Sequence, residues 1–508
     1  MVRSPRRQRC LAPSLTSFAS AAILILPLAC GGISERRPVS KAGGNSDTAG
    51  VGYGGSGGSE LEAGEGGDVS QVGDGGNGGN GGKEASTGGA VGEASDLVFE
   101  LRGTPLPFAP TAHGFGLNVV LARGDPSLLR ARVRAQGVTT FASAIPPEVR
   151  GTDIAQWNFE GLAPGVHFEY EILASIPSGD QSLYLGSVVT QRQPGDSFTF
   201  ALITDSHIGA DLTFSNQGIP NTLKNVSAEA GASQPDFIMN LGDMLDFHEY
   251  GFNTPPPSAS VTRLAYLNYR TLLGDTLGHA AHYGVIGNWE GEDGCYTAEE
   301  TSRSQQQRLL YLPGPTPTTY PEGGSPSQDY YAFTWGDALF VVLNVMGYTP
   351  TPHLLDNSGV PDDWTLGEAQ LGWFGKTLAN ATAKWRFVLI HHTVGGAAGD
   401  AADSAYGRGG GRAAYVGEQA KVHQLMLQHG VQIFFYGHDH VFTDMQVDGI
   451  HYTLPGSAGA PWLFGNSLTG YSQSWLESGW SKVTVSPDGV DVQFLKMGGG
   501  LLYEYTLP

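Results

Sequence analysis

The chain is 508 residues long, enough for roughly two or three domains, and its 40% apolar content supports a packed core. It carries 28 basic and 49 acidic residues, a formal charge of −21. That balance gives nucleic acid no basic footprint and repels anions at long range, so affinity for a phosphorylated ligand must come from local cations. The three cysteines, Cys10, Cys30 and Cys295, make no disulfide framework, and Cys295 reads as a passive small residue.

Arg3, Arg6, Arg7 and Arg9 precede an apolar stretch from Phe18 to Leu28. Residues 1–30 read as a signal peptide, the apolar part being too short to span a bilayer. Leu26-Pro27-Leu28-Ala29-Cys30-Gly31-Gly32 resembles a bacterial lipoprotein signal with Cys30 lipidated, although Pro27 departs from that pattern and leaves simple secretion open. Both readings place the protein outside the cytoplasm, with membrane contact only through Cys30. Residues 31–95 are Gly-rich, without periodicity and with Tyr53 as the sole aromatic. Such a segment cannot bury enough apolar area to offset its ordering entropy, so a flexible tether is expected. A functional spacer and a drifted low-complexity insert both fit.

From residue 96 to 193, short alternating runs are separated by turn residues: Leu97 to Leu101, Gly116 to Leu121, Ala131 to Ala135, Gln156 to Phe159, His167 to Leu173 and Leu183 to Val189. This spacing predicts an antiparallel sandwich. Gly161-Leu162-Ala163-Pro164-Gly165-Val166-His167-Phe168-Glu169-Tyr170 resembles the turn and strand of fibronectin type III domains, which implies a core or corner role for Tyr170.

After Ser197 the pattern changes to apolar strand-like runs alternating with helical segments, and this region extends to residue 508. Five of the runs end in groups rich in hard ligands. Phe198 to Ile203 leads to Asp205-Ser206-His207, and Phe237 to Leu241 to Gly242-Asp243-Met244-Leu245-Asp246. Tyr283 to Ile286 leads to Gly287-Asn288-Trp289-Glu290, Phe387 to Ile390 to His391-His392, and Val431 to Phe435 to Tyr436-Gly437-His438-Asp439-His440. Ligands at the carboxyl ends of strands belong to a layered α/β fold. Thr365-Leu366-Gly367-Glu368 offers a capping box for a helix to about Asn380. A further helix near Ala413 to His429 stops at Gly430, and Asp448-Gly449 signals a hairpin.

In that order and spacing, the five groups resemble the calcineurin-like metallophosphoesterase superfamily, with the preceding β module resembling that of purple acid phosphatases. The resemblance implies a four-layer α/β/β/α sandwich preceded by an all-β, fibronectin type III-like sandwich. It also implies two divalent metal ions: Asp205, His207, Asp243 and His440 on one, and Asp243, Asn288, His391 and His438 on the other, with Asp243 bridging. Mixed nitrogen and oxygen donors suit Zn, Mn, Fe or Co without choosing among them. The implied reaction is hydrolysis of a small phosphorylated substrate, mono- or diester, by in-line attack of a hydroxide held between the metals.

Two positions depart from the family. Asp246 stands where purple acid phosphatases carry the tyrosine that binds ferric iron, so it reads as either a direct or a supporting acid. Trp289 stands where the family has the histidine that contacts the phosphoryl group or protonates the leaving oxygen, and indole cannot release a proton at neutral pH. Its loss implies either a substitute acid (His392, His248 or Glu290) or substrates with good leaving groups. Gly395 to Arg412, with Arg408 and Arg412, reads either as a lid that grips phosphate or as a solvent-facing loop. The alternative to an enzyme is a surface-tethered binding or adhesion protein on a catalytically weakened metallophosphoesterase scaffold.

Overall fold

The computed structural model describes residues 98–213, 218–247, 257–290, 292, 298–348, 365–393, 417–465 and 471–508. The signal peptide, the Gly-rich stretch, His248, Cys295 and the segment holding Arg408 and Arg412 lie outside the described residues.

Eight strands come first: β1 (Glu100–Leu101), β2 (Leu106–Thr111), β3 (Gly114–Arg123), β4 (Leu129–Ala135), β5 (Glu148–Arg150), β6 (Ile154–Glu160), β7 (His167–Ile176) and β8 (Gly179–Val189). They form one sheet in the order β1-β3-β6-β5, with β2 on β3, and a second in the order β4-β7-β8. Alternation along each strand sends Phe115, Leu117, Val119 and Leu121 of β3, Ala131 and Val133 of β4, and Phe168, Tyr170 and Ile172 of β7 into one shared core. The result is an all-β sandwich with a Greek-key strand order.

The remaining elements are β9 (Phe198–Ile203), α1 (Pro220–Ala232), β10 (Phe237–Asn240), α2 (Ala259–Leu273), β11 (Ala281–Gly284), α3 (Ala298–Tyr311), β12 (Tyr331–Trp335), β13 (Ala338–Val342), α4 (Gly367–Asn380), β14 (Trp385–Leu389), α5 (Gly417–Gln428), β15 (Ile433–Phe435), β16 (Phe442–Val447), β17 (Ile450–Pro455), β18 (Gly479–Val485), β19 (Val490–Lys496) and β20 (Gly500–Leu507). They make two mixed sheets, β11-β10-β9-β18-β19-β20 and β12-β13-β14-β15-β17-β16. Strands β9, β10 and β11 are parallel, as are β13, β14, β15 and β17. Buried on both faces, these central strands read as unbroken apolar runs.

The sheets face each other across an aromatic seam. Phe200 stacks on Phe237 at 5.2 Å, Phe333 on Phe340 at 4.9 Å, and Phe200 meets Phe340 edge-on at 5.1 Å. Such pairs contribute about 0.5–1.5 kcal/mol each beyond the area they bury. Leu223 and Val226 of α1 with Ala265 and Leu273 of α2 cover the outer face of the first sheet. Phe374 and Leu378 of α4 with Val422 and Met426 of α5 cover the second. Helix, sheet, sheet and helix make the four layers.

The β-sandwich is joined to this body by buried polar contacts. Arg270 of α2 is fully buried, and its guanidinium donates to Asn118 Oδ1 (2.6 Å) and O (3.1 Å), Thr104 O (3.0 Å) and Tyr311 O (3.0 Å). Burial pulls its pKa down to about 10, still a full charge at neutral pH. Arg192 forks onto Asp236, which also accepts from Trp335 Nε1. Tyr170 is a core tyrosine, but its hydroxyl donates to Gly278 O, beyond the sandwich, rather than back into its own strand neighbourhood as a corner tyrosine does.

One local expectation fails. Thr365 Oγ1 accepts from Gly367 N (2.8 Å), but Glu368 does not close a capping box. Glu418 takes the Leu366 N–H (2.6 Å) and the Thr365 hydroxyl (2.7 Å). A tertiary carboxylate supplies what the local one was expected to. The hairpin turn behaves as expected, with Asp448 at φ 52° and Gly449 at φ 88°.

His282 on β11 is buried, and its Nε2 accepts from the Tyr269 hydroxyl (3.0 Å). Burial, reinforced by Arg270, holds its pKa down at about 3, below the ordinary value of about 6.5. Neutral His282 therefore supports the fold fully above about pH 6.5, and that support falls by about 1.4 kcal/mol per pH unit as the pH drops toward 3. Urea midpoints recorded against pH should fall less steeply in this window for His282→Gln than for the wild type. Parallel curves would exclude the effect.

Candidate metal centre

The parallel strands of both sheets deliver their carboxyl ends to one place. Beyond the last strand residues the connecting loops hydrogen-bond to one another: Asp205 N to Gly242 O (3.0 Å), His207 N to Asp243 O (2.9 Å) and Gly437 N to His391 O (2.9 Å). Asp205, His207, Asp243, His438 and His440 all have positive φ, between 50° and 74°. This conformation is uncommon for such residues and concentrates at functional sites. Here it turns alternate side chains inward from sharply bent loops.

Two close approaches depend on glycine. A Cβ on Gly287 would lie 2.3 Å from both Asp243 N and Oδ1, and one on Gly242 (φ 102°) would lie 2.6 Å from His391 Nδ1.

Asp205, His207, Asp243 and His440 each present one donor atom, all within 4.8 Å of one another, and all four are buried. His391, His392 and His438 form a second group on the same criterion. His391 joins the two groups, with Nε2 3.1 Å from Asp243 Oδ2. Asn288 is buried beside Trp289, whose N–H donates to Asp243 Oδ1 (2.9 Å).

Three imidazoles have Nδ1 committed away from the centre. His207 Nδ1 meets Asp246 Oδ2 at 3.1 Å, His391 Nδ1 donates to Leu241 O at 2.8 Å, and His440 Nδ1 donates to Trp462 O at 3.0 Å. In the neutral ring this fixes the tautomer and aims the Nε2 lone pair inward. His207 Nε2 and His440 Nε2 then face each other at 3.1 Å, two acceptors in contact. Asn288 Oδ1 is buried without a hydrogen-bond partner, and Asp243 Oδ2 faces only the His391 and His207 rings, 3.1 and 3.6 Å away. Converging lone pairs and orphaned acceptors are the pattern cation ligands leave behind, so the residues present fit a divalent metal.

The electrostatics agree. Burial raises Asp205 to about 6, against the pull of His391. Burial also opposes a charge on His391, yet Asp243, then Asp205 and Glu290, lift it to about 9. Carboxylates buried this deeply are costly without positive charge beside them.

Residues 198–442 match the calcineurin-like phosphoesterase family. This segment is a calcineurin-like phosphoesterase domain. The chain is similar in fold to the purple acid phosphatase PPD1 of yellow lupin (Lupinus luteus) seeds, at 14% identity and TM-score 0.58, over 80% of this chain and 74% of that one. Weaker similarities are to GAP50, the anchor in the inner membrane complex of Plasmodium (15% identity, 61% of this chain, 88% of that one, TM-score 0.38), and to a putative 5'-nucleotidase of Staphylococcus aureus (15%, 62% and 54%, TM-score 0.33). No curated protein sequence matches the chain.

In this phosphoesterase domain Asp246 is fully buried, with Oδ2 against His207 Nδ1. Glu290 accepts from Met244 N (2.6 Å) and Gly287 N (2.7 Å). Burial, with Asp243 adding to it, pushes its pKa to about 8. With both oxygens accepting backbone N–H groups, it ties the loop at 242–246 to the loop at 287–290. His392 lies with its ring 4.3 Å from that of His438 and 4.9 Å from that of His391.

The sequence reading missed Trp462 and Phe464. The Trp462 ring lies 5.5 Å from His207 and 5.6 Å from His440, and Phe464 lies 5.1 Å from His440. With Trp289, 6.3 Å from His207, they form a half-buried aromatic collar. The signal for them was Ala460-Pro461-Trp462-Leu463-Phe464, an apolar run following Gly456-Ser457-Ala458-Gly459 without the alternation of a strand.

Because Asp246 fixes the His207 tautomer, Asp246→Asn should lower divalent-cation affinity about 10–100-fold while leaving the circular dichroism spectrum intact. Competition against a chromogenic chelator measures it, and unchanged affinity would remove Asp246 from the site.

Proposed function

We propose that this domain hydrolyses small phosphorylated substrates with two divalent cations. One would be held by Asp205, His207, Asp243 and His440, the other by Asp243, Asn288, His391 and His438. The observation that carries the reading is the buried Asp205, His207, Asp243 and His440 group, with its imidazole lone pairs forced together. Bound there, such cations would supply a water activated for attack and neutralise the phosphoryl oxygens.

The chain's own residues do the rest. Asp246 and the carbonyls of Leu241 and Trp462 hold three imidazoles in the ligating tautomer. The Trp289 N–H restrains one oxygen of Asp243 and leaves the other facing His391. The N–H of His438 donates to both oxygens of Asp205 at 3.0 and 3.1 Å, locking the first ligand loop onto the last. At the collar, Trp289 excludes water and offers a flat surface without a releasable proton. His392, its ring 4.3 Å from that of His438, is the substitute acid of this reading. A phosphate ester with a good, planar leaving group suits these residues best. An extracytoplasmic location is part of the proposal and rests on the N-terminal pattern.

Nitrophenyl phosphate and bis-nitrophenyl phosphate, assayed against a panel of Zn, Mn, Fe and Co, should show hydrolysis that chelation abolishes. Asp243→Asn should lower it at least about 10³-fold, since that carboxylate serves both proposed ions. Metal-replete protein that hydrolyses neither ester would end the proposal. A second prediction concerns the leaving group. Trp289→His should raise turnover of alkyl phosphates about 10²-fold or more, leave nitrophenyl phosphate nearly unchanged and keep the metal content. A uniform loss on both substrates would mean that Trp289 is structural.

A further inference from the structure

A second concavity, of about 630 Å³, lies between the outer face of the β-sandwich and residues 313–319 of the phosphoesterase domain. It shares no residue with the metal centre, and its volume falls in the range that small-molecule sites occupy.

Its construction follows from strand alternation. Along β3, Phe115 and Leu117 point into the sandwich core while Gly114, Gly116 and Asn118 point the other way. On β6, Asn158 and Gln156 pair with Gly116 and Asn118 on that same outer face. Gly116 lets the Phe108 ring lie flat against the sheet, since a Cβ there would meet the ring at 2.3 Å. An aromatic floor results. The opposite wall is rigid, because Gly314 N donates to Gln328 Oε1 (2.8 Å), and Arg308 donates to the carbonyls of Ser327 (2.7 Å) and Gln328 (3.2 Å). That wall carries the hydroxyls of Thr316 and Thr319.

Three observations mark this concavity as more than a seam. Gln156 is 4% exposed and lines it, yet its Oε1 has no hydrogen-bond partner. A buried acceptor left unmet in a preformed cavity is what a ligand's donor would satisfy. Ala109 (φ 44°) and Gln328 (φ 58°), both in the lining, hold left-handed backbone conformations, as do five residues of the metal centre and the turn residues Gln234 and Asp448. The third observation is the charge of the lining: Arg150 at the rim lies 3.3 Å from Glu148, and Glu160 adds a second carboxylate, so the cleft offers no net positive charge.

Amide, hydroxyl and carboxylate acceptors, an aromatic floor and a lining without net positive charge define the chemistry. A neutral ligand with many hydroxyls and one flat C–H face meets each demand, whereas an anion would find no counter-charge and a purely apolar ligand would leave Gln156 unmet. We infer that this cleft binds a short neutral oligosaccharide, making the protein a glycan-binding as well as a hydrolytic molecule. The inference is independent of the phosphoesterase reading.

Titration calorimetry on the full chain with maltotriose, cellotriose and triacetylchitotriose tests it. At least one should bind saturably. Gln156→Leu and Asn158→Ala should each weaken that binding at least about tenfold, and nitrophenyl phosphate hydrolysis should stay at the wild-type rate. Asn158 is exposed, so its replacement leaves folding intact even where Gln156→Leu does not. No saturable heat with any of the three sugars overturns the inference, as does binding that survives Asn158→Ala in full. Loss of hydrolysis with sugar binding retained would strike only the catalytic proposal.

Discussion

Two imidazole nitrogens, His207 Nε2 and His440 Nε2, face each other at 3.1 Å with both Nδ1 atoms already engaged elsewhere. Neutral rings so arranged repel, and the carboxylates of Asp205 and Asp243 beside them add negative charge. No molecule with a formal charge of −21 would hold such a cluster in its interior for packing alone, because buried charge without a partner is costly. The frustration resolves if a cation sits at the point where the lone pairs converge. Much of the remaining structure serves to keep these groups there: bent loops with positive φ, glycines where the loops touch, and the two oxygens of Glu290 tying one loop to the next.

The aromatic seam supplies the rigidity this needs. The ligands come from both sheets, so a slip of either sheet would separate them. Stacked and edge-on rings from Phe200, Phe237, Phe333 and Phe340 interlock the two faces, and a close-packed interior of low compressibility resists such a slip. The β-sandwich adds to this from outside through Arg270, whose buried guanidinium gathers acceptors from Thr104, Asn118 and Tyr311. One consequence of that attachment is the second cleft, which exists only because the sandwich face and the 313–319 segment are held apart at a fixed spacing.

Within the site, position 289 carries an indole, which can donate a hydrogen bond but cannot release a proton at neutral pH. The ligand atoms determine where positive charge can sit. The collar of Trp289, Trp462 and Phe464 surrounds His207 and His440 with rings that carry no proton releasable at neutral pH, which is why the proposed reaction favours planar, stable leaving groups.

The ligand groups could be read from the chain because each follows an unbroken apolar run, and buried parallel strands leave that mark without any tertiary information. So could the hairpin at Asp448-Gly449 and the end of α5 at Gly430, where backbone with positive φ selects glycine or its nearest substitutes. The cap of α4 could not, because the acceptor for Leu366 N is Glu418, far along the chain, and local spacing pointed to Glu368. Helix α2 had its signals in Ser258 and Gly274, but its apolar face blends with a polar sequence. Trp462 and Phe464 reached the site, and Gln156 the cleft, through packing between segments far apart in the chain. Sequence alone thus determined the donors and their strand-end positions, since those depend on local periodicity. Only the tertiary structure decided which nitrogen of each histidine faces inward, what rings the opening and that a second cavity exists, because those depend on contacts between residues the chain order does not relate.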